Sequence, residues 1–246
     1  MLKKRIIITL TFLDGVLFRT KKFIPDHRYT KNFIDFWSID EIILIDVSEK
    51  KFSQDFINLI KYFSNNCFVP LSVGGGIKKI SDADKYFQNG ADKIVLGSIS
   101  SQNTKIISEI SKKYGSQSII QCIDIKKDKY SKYKLAVESG RRLTEINPIQ
   151  SINKSLKVGA GEILINNVDR DGSLLGYDIN IIKKITKDFN CQFLALGGAG
   201  NWDHILKLFK ETEVYGACTQ NIFHFTEDSI ISAKKFLQYN KIDIRN

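Results

Sequence analysis

Short runs of β-branched and aliphatic residues recur along the chain, each followed by a stretch whose apolar positions repeat at helical spacing. The strand pattern falls at Arg5–Leu10, Ile42–Asp46, Pro70–Gly74, Lys93–Ser98, Ile119–Ile125, Glu162–Val168, Phe193–Gly197 and Val214–Cys218. Most of these runs are apolar on both faces, the signature of parallel strands covered by helices. Helical periodicity predicts Gln54–Phe63, Ser81–Gln88, Thr104–Lys113, Ile149–Lys157, Ile179–Lys187, Trp202–Lys210 and Glu227–Gln238. After the first strand the pattern is irregular, and a long loop leading into a helix near Tyr29–Trp37 is expected there. Eight strand–helix units in 246 residues predict one (βα)8 TIM barrel domain spanning residues 1–246.

The two halves echo one another. Glu41-Ile-Ile-Leu-Ile is matched by Glu162-Ile-Leu-Ile, and Val73-Gly74-Gly75-Gly76 by Leu196-Gly197-Gly198-Ala199-Gly200, in the same order and at similar offsets. A duplicated half-barrel accounts for both.

In such a barrel the chemistry sits where strands end and βα loops begin. Two glycine-rich turns follow strands three and seven there. Backbone N–H groups at Gly75, Gly76, Gly197, Gly198 and Gly200 are candidate anion donors, and a pair of such turns suits a substrate with two phosphates. The alternative is that these glycines only make tight turns. Asp124 ends an apolar strand, where partial burial raises a carboxyl toward an acid/base range. The alternative is a carboxylate held by Lys126 or Lys127.

Composition narrows the class. The formal charge is +10, from 37 Lys+Arg against 27 Asp+Glu, but the basic residues are scattered and no nucleic-acid motif occurs. A lysine-rich solvated surface or an anionic substrate is the better reading. Cys67, Cys122, Cys191 and Cys218 lack metal-ligand spacing, so no metal and no cofactor is expected, and Cys122 and Cys218 read as buried hydrophobes. The apolar run ending at Leu10 is too short to span a membrane and lacks a cleavage site, so a cytoplasmic, non-membrane protein is expected.

Motifs spread over nearly the whole chain are more specific. They are Met1-Leu-x-Lys-Arg-Ile-Ile, Asp14-Gly15, Asp40-Glu41-x-x-x-x-Asp46, Val73-Gly-Gly-Gly-Ile77, Gly90-Ala-Asp-Lys93, Tyr114-Gly-Ser-Gln117, Ile123-Asp124-x-Lys126 and Gly159-Ala-Gly-Glu-Ile-Leu164. Asp169-Arg-Asp-Gly172, Gly176-Tyr-Asp178, Gly197-Gly-Ala-Gly200 and Phe223-His-Phe225 complete the set. Together they resemble the HisF family, the cyclase subunit of imidazole glycerol phosphate synthase, and imply a barrel of the HisA/HisF half-barrel-duplication type.

The resemblance implies an ammonia-using synthase and lyase barrel fed by a HisH-like glutaminase on its bottom face, as a heterodimer. Arg5, Glu41, Lys93 and Glu162 match the family's charged gate, and Asp92 matches a residue near the partner interface. The alternative for the gate is a paired network that only closes the barrel floor. Phosphate contacts are expected at Gly75, Gly76, Gly97, Ser98, Asp171, Gly172, Gly197, Gly198, Gly200, Gln220 and Asn221. Of the family's two catalytic aspartates, Asp124 matches the second, while the first position holds Thr11, which cannot act as a carboxylate. The loop lysine position holds Arg19. The strand-four turn reads Gly97-Ser98, the strand-six threonine reads Asn166, and the strand-eight turn reads Gln220-Asn221.

These departures gather at the mouth while the gate is intact. The expectation drawn from them is a HisF-like paralogue acting with a glutaminase and a sugar amidotransferase. It would serve acetamidino modification of a surface-glycan sugar, on a phosphorylated or nucleotide-sugar small molecule. Two alternatives remain: the cyclase subunit of histidine biosynthesis, and a noncatalytic docking or allosteric barrel.

Overall fold

The computed structural model describes residues 2–29, 38–97, 103–220 and 230–245. Among them are twelve strands, β1 (Arg5–Leu13), β2 (Val16–Lys21), β3 (Ile24–Tyr29), β4 (Glu41–Asp46), β5 (Leu71–Gly74), β6 (Lys93–Leu96), β7 (Ile119–Lys127), β8 (Tyr133–Val137), β9 (Arg142–Leu143), β10 (Glu162–Asn167), β11 (Gln192–Leu196) and β12 (Gly216–Thr219). The helices are α1 (Gln54–Asn66), α2 (Ile80–Gln88), α3 (Lys105–Tyr114), α4 (Pro148–Lys157), α5 (Ile179–Thr186), α6 (Trp202–Glu211) and α7 (Ile230–Tyr239).

Eight strands run parallel in the ring β1-β4-β5-β6-β7-β10-β11-β12, which β12 closes onto β1. This is a closed (βα)8 barrel. Strand alternation divides the core in two. Ile6, Ile8, Leu10 and Phe12 of β1 face the helices and pack with Phe56, Ile60 and Phe63 of α1. Ile7 faces inward, in a small interior cluster with Ile43, Val95, Ile120, Cys122, Leu164, Leu194, Leu196 and Cys218. The interior is therefore filled and mainly apolar. Both interior cysteines are buried and free, while Cys67 and Cys191 are half-buried.

Helix starts follow local chemistry. Side chains of Ser53, Asn147, Asp178 and Asn201 accept a backbone N–H in the first turns of α1, α4, α5 and α6. Pro148 occupies a first-turn position of α4, where its missing N–H costs no hydrogen bond.

The stretch after the first strand departs from expectation. It is a β-meander: β1 turns into β2 through Asp14-Gly15, and β2 into β3 through Lys22-Phe23. All four turn residues have positive φ, the geometry of two-residue hairpin turns that match the strand twist. The Asp-Gly pair was the signal for it. The expected helix near Tyr29–Trp37 lies almost wholly outside the described residues. A second hairpin, β8–β9, follows β7, where the sequence pattern marked nothing. No helix among the described residues is long and apolar enough to cross a membrane.

Candidate active site

The top of the barrel carries a half-buried carboxyl aimed inward, Asp124. Asp124 lies two residues after Cys122 on β7, so both share the inner face. Asn166 of β10 sits directly opposite in the strand register and donates from Nδ2 to Asp124 Oδ1 at 2.8 Å. The Cys122 thiol donates to the same oxygen at 3.5 Å. Burial pushes the Asp124 carboxyl up to about 6, against the two hydrogen bonds that favour its anion. A carboxyl in that range exchanges a proton near neutral pH. The lysines considered as ion partners go elsewhere: Lys126 gives its ammonium to the Gly140 carbonyl at 3.3 Å, and the Lys127 ammonium lies over the Tyr133 ring, 5.1 Å from its centre.

Thr11 is on the inner face of β1 and buried. Its Oγ1 accepts a hydrogen bond from Gln220 Nε2 at 3.4 Å. Gln220 also donates to Thr20 Oγ1 and accepts the Thr20 N–H, tying β12 to the β2–β3 hairpin. Both ends of its side-chain amide are thus engaged within the protein, at a position that also lines the mouth. Asp171 is buried, and its Oδ2 accepts the Phe23 N–H at 2.9 Å, which fastens the hairpin tip; it too lines the mouth. Burial raises its carboxyl above the usual range, against its hydrogen bonds from Phe23 and Thr20.

The hairpin borders a small mouth cavity lined by Arg19, Thr20, Asp171, Gly197, Gly198 and Gln220 among others. Asp124 is not part of that lining. Arg19 pairs with Asp26 across the hairpin at 2.8 Å.

The glycines are required by close backbone approach. A Cβ on Gly75 would meet the Asp46 carbonyl oxygen at 2.3 Å, and one on Gly198 the Gly176 oxygen at 2.2 Å. Gly76 is covered by the Lys51 stem, and Gly172 lies against the Thr20 oxygen. The Gly200 N–H is donated to His204 Nδ1 at 3.1 Å. Burial lowers the His204 pKa and favours the neutral imidazole that this bond needs. Gly97 is different: a Cβ there would meet nothing. Ser98 and Asn221 lie outside the described residues.

At the opposite end, the expected gate residues come together as a closed ring. Arg5, Glu41, Lys93 and Glu162 are each the first residue of a barrel strand. Arg5 binds Glu41 at 2.7 Å and Glu162 at 2.9 Å, and Lys93 binds Glu162 at 2.7 Å and Glu41 at 3.1 Å. Ser72 donates to Glu41 as well, and Arg5 to Gln192. Burial works against the Glu162 anion, but Arg5 and Lys93 outweigh it and hold its carboxyl below the usual range. Asp92 is exposed nearby, with Oδ2 accepting the Leu71 N–H at 2.8 Å. Sequence reasoning took Cys122 as filler and missed the hairpin residues Thr20 and Phe23. Period-two spacing to Asp124 was the available signal for Cys122.

A closed (βα)8 barrel with a charge ring at its floor and an inward acid at its mouth defines a barrel protein of enzyme type. The family model described as histidine biosynthesis protein matches residues 11–229. Imidazole glycerol phosphate synthase subunits HisF from Hydrogenobaculum and Streptococcus mutans are 34% and 30% identical over the full length of both chains. A putative HisF subunit from Leptospira borgpetersenii is 35% identical over 91% of each. The chain belongs to the HisF branch of the histidine biosynthesis protein family.

Proposed function

We propose that this chain is the ammonia-using, cyclase-type subunit of an imidazole glycerol phosphate synthase, served by a HisH-type glutaminase docked on the barrel floor. The relatives reported above carry that name, which reverses the order of preference drawn from the mouth substitutions. In this reading ammonia enters beside the ring of Arg5, Glu41, Lys93 and Glu162. It crosses an apolar interior that disfavours ammonium, and reacts at the mouth with a phosphoribulosyl-formimino carboxamide ribotide. Asp124 gives and takes the protons of the lyase and cyclisation steps.

The observation that carries the reading is the pairing of one inward carboxyl, poised near neutral pH, with a charged floor around the same apolar interior. Phosphates are held near Gly75, Gly76, Gly97, Gly172, Gly197 and Gly198, and Asp92 contributes to the docking face. With Thr11 in place of a second acid, turnover falls by about 10²-fold or more against a two-carboxylate enzyme.

Complementation of a histidine auxotroph, with the cognate glutaminase co-expressed, tests the proposal. Growth supports it, and loss of growth in Asp124→Asn supports the assigned acid/base. No growth, with folded protein present, overturns it.

A second reading is favoured by one observation, the engagement of Thr11 by Gln220. With only one acid, the barrel delivers ammonia for acetamidino modification of a sugar by a separate amidotransferase. Glutamine-dependent amidination of a nucleotide sugar by the three reconstituted proteins, together with failed complementation, is its expected result.

A further inference from the structure

Asn166 is held with one half of its amide satisfied and the other half bare. It is buried, with 7% of its surface exposed. Nδ2 is committed to Asp124, while Oδ1 is sealed from solvent and has no hydrogen-bond partner. Rotating the amide would not cure this, because it would turn Oδ1 toward the carboxylate and leave Nδ2 unpaired. A buried acceptor without a donor costs about 1–3 kcal/mol, a penalty that a ligand N–H or O–H removes.

The place of the orphan narrows its ligand. Asn166 continues the inner face of β10 two residues above Leu164, which belongs to the apolar interior cluster. Thr9, an inward position on β1 two residues above Ile7 in the same cluster, carries a buried hydroxyl beside the Cys218 thiol. A small molecule rising through the interior therefore meets hydrocarbon first and then, at Asn166, an acceptor in need of a donor. Ammonia suits this: it is small and neutral, and it has three N–H donors. An ammonium ion would lose its hydration in the hydrocarbon.

We propose that Asn166 Oδ1 and the Asp124 carboxylate together form a docking point for ammonia at the upper end of the barrel interior. Ammonia donates one N–H to Asn166 and a second to Asp124, which leaves its lone pair directed away from both acceptors, toward the reacting carbon at the mouth. Asn166 is thus a binding and positioning residue; the ammonia lone pair adds to the carbonyl carbon of the ribulosyl group, the C=O π pair moves to its oxygen, and Asp124 takes the proton that the nitrogen loses. The proposal rests on the ammonia-using reading above.

The test reads the site without needing turnover. In the full chain with carbonyl-labelled asparagine, the Asn166 side-chain carbon signal, identified by its loss in Asn166→Leu, is followed at pH 8.5. Ammonium chloride replaces potassium chloride at constant ionic strength. A saturable shift with ammonium, absent with potassium alone, is expected, and no shift, or an equal shift in both salts, overturns the site. In a second arm, ammonium-driven turnover of wild type and Asn166→Leu is compared. The KM for ammonium should rise about tenfold or more, with a smaller change in kcat. An unchanged KM also overturns the site. The variant Asn166→Thr, which keeps a hydroxyl acceptor, should recover part of the loss. Absence of wild-type turnover on the imidazole precursor would count against the proposed function alone, because the spectroscopic arm decides the site by itself.

Discussion

Arg5 and Glu162 stand 157 residues apart in the chain and meet at 2.9 Å across the barrel floor, both almost fully buried. Each is also bound to another member of the ring: Arg5 to Glu41, and Glu162 to Lys93. Four charges in low dielectric are tolerable only because no member is unpaired.

Glu41 is the most exacting member, since it accepts from Arg5, Lys93 and Ser72. Glu41→Gln should lower stability by about 3–5 kcal/mol, the usual cost of stranding buried partners. Urea unfolding at pH 7 measures it. A loss under 1 kcal/mol would show that water reaches the floor and screens the ring. Acid should weaken the ring as well. The Glu162 carboxyl lies below its unfolded value, so its contribution is complete above that value and is lost as pH falls through the lower, folded one.

Asp124 behaves in the opposite sense. Its carboxyl rises from 3.8 to about 6 on folding. The contribution is complete below the unfolded value and is lost as pH rises through 6, so at pH 7.5 the poorly solvated anion is a net cost. Asp124→Asn should therefore be more stable than wild type at pH 7.5, by about 1–3 kcal/mol at roughly 1.4 kcal/mol per pH unit, with no such gain at pH 3.5. Thermal unfolding at the two pH values checks this. A variant less stable at pH 7.5 would make Asp124 a structural anion.

The β2–β3 tip is fastened by Asp171, which accepts the Phe23 N–H. Asp171→Ala leaves that amide to exchange with solvent. Loss of a hydrogen bond to a charged acceptor, about 1.5–3 kcal/mol, corresponds to roughly 10–100-fold faster exchange at Phe23. Amide exchange read at that residue should show it, with the strands of the barrel unaffected. Unchanged exchange would mean that the tip is held by other contacts.

Gly198 and Gly97 should respond differently to the same methyl group. Gly198→Ala forces a side chain onto positive φ and into the Gly176 oxygen, and should cost about 2 kcal/mol or more. Gly97→Ala meets open space and should change stability by less than about 0.5 kcal/mol. Paired unfolding curves compare the two, and equal costs would mean that the β11–α6 turn moves to make room.

The eight barrel strands were legible because most are apolar on both faces, as β1 is at Ile6, Ile7 and Ile8. The hairpin strands were not. Arg19, Lys21, Asp26, His27 and Arg28 make β2 and β3 polar, and their pairing rests on backbone bonds and two turns, which leave little hydrophobic period to read. The Asp14-Gly15 turn was written in the sequence, but nothing nearby marked it as joining two strands.

The sequence by itself placed all eight barrel strands, with their ends displaced: the first runs on past Leu10 to Leu13, the second begins at Glu41 and not Ile42, and the last spans Gly216–Thr219 and not Val214–Cys218. It thereby put Arg5, Glu41, Lys93 and Glu162 at one end of the barrel and Thr11, Asp124 and Asn166 at the other, because alternation and chain direction are local properties. Only the tertiary structure decided the partners. The register of β7 against β10 set Asn166 beside Asp124, 42 residues away. Ring closure made the floor charges a single network, and helix packing took the Gly200 N–H for His204. Pairing depends on which strands and helices become neighbours when the ring closes. Hydrophobic period reports only which way a side chain points from its own strand.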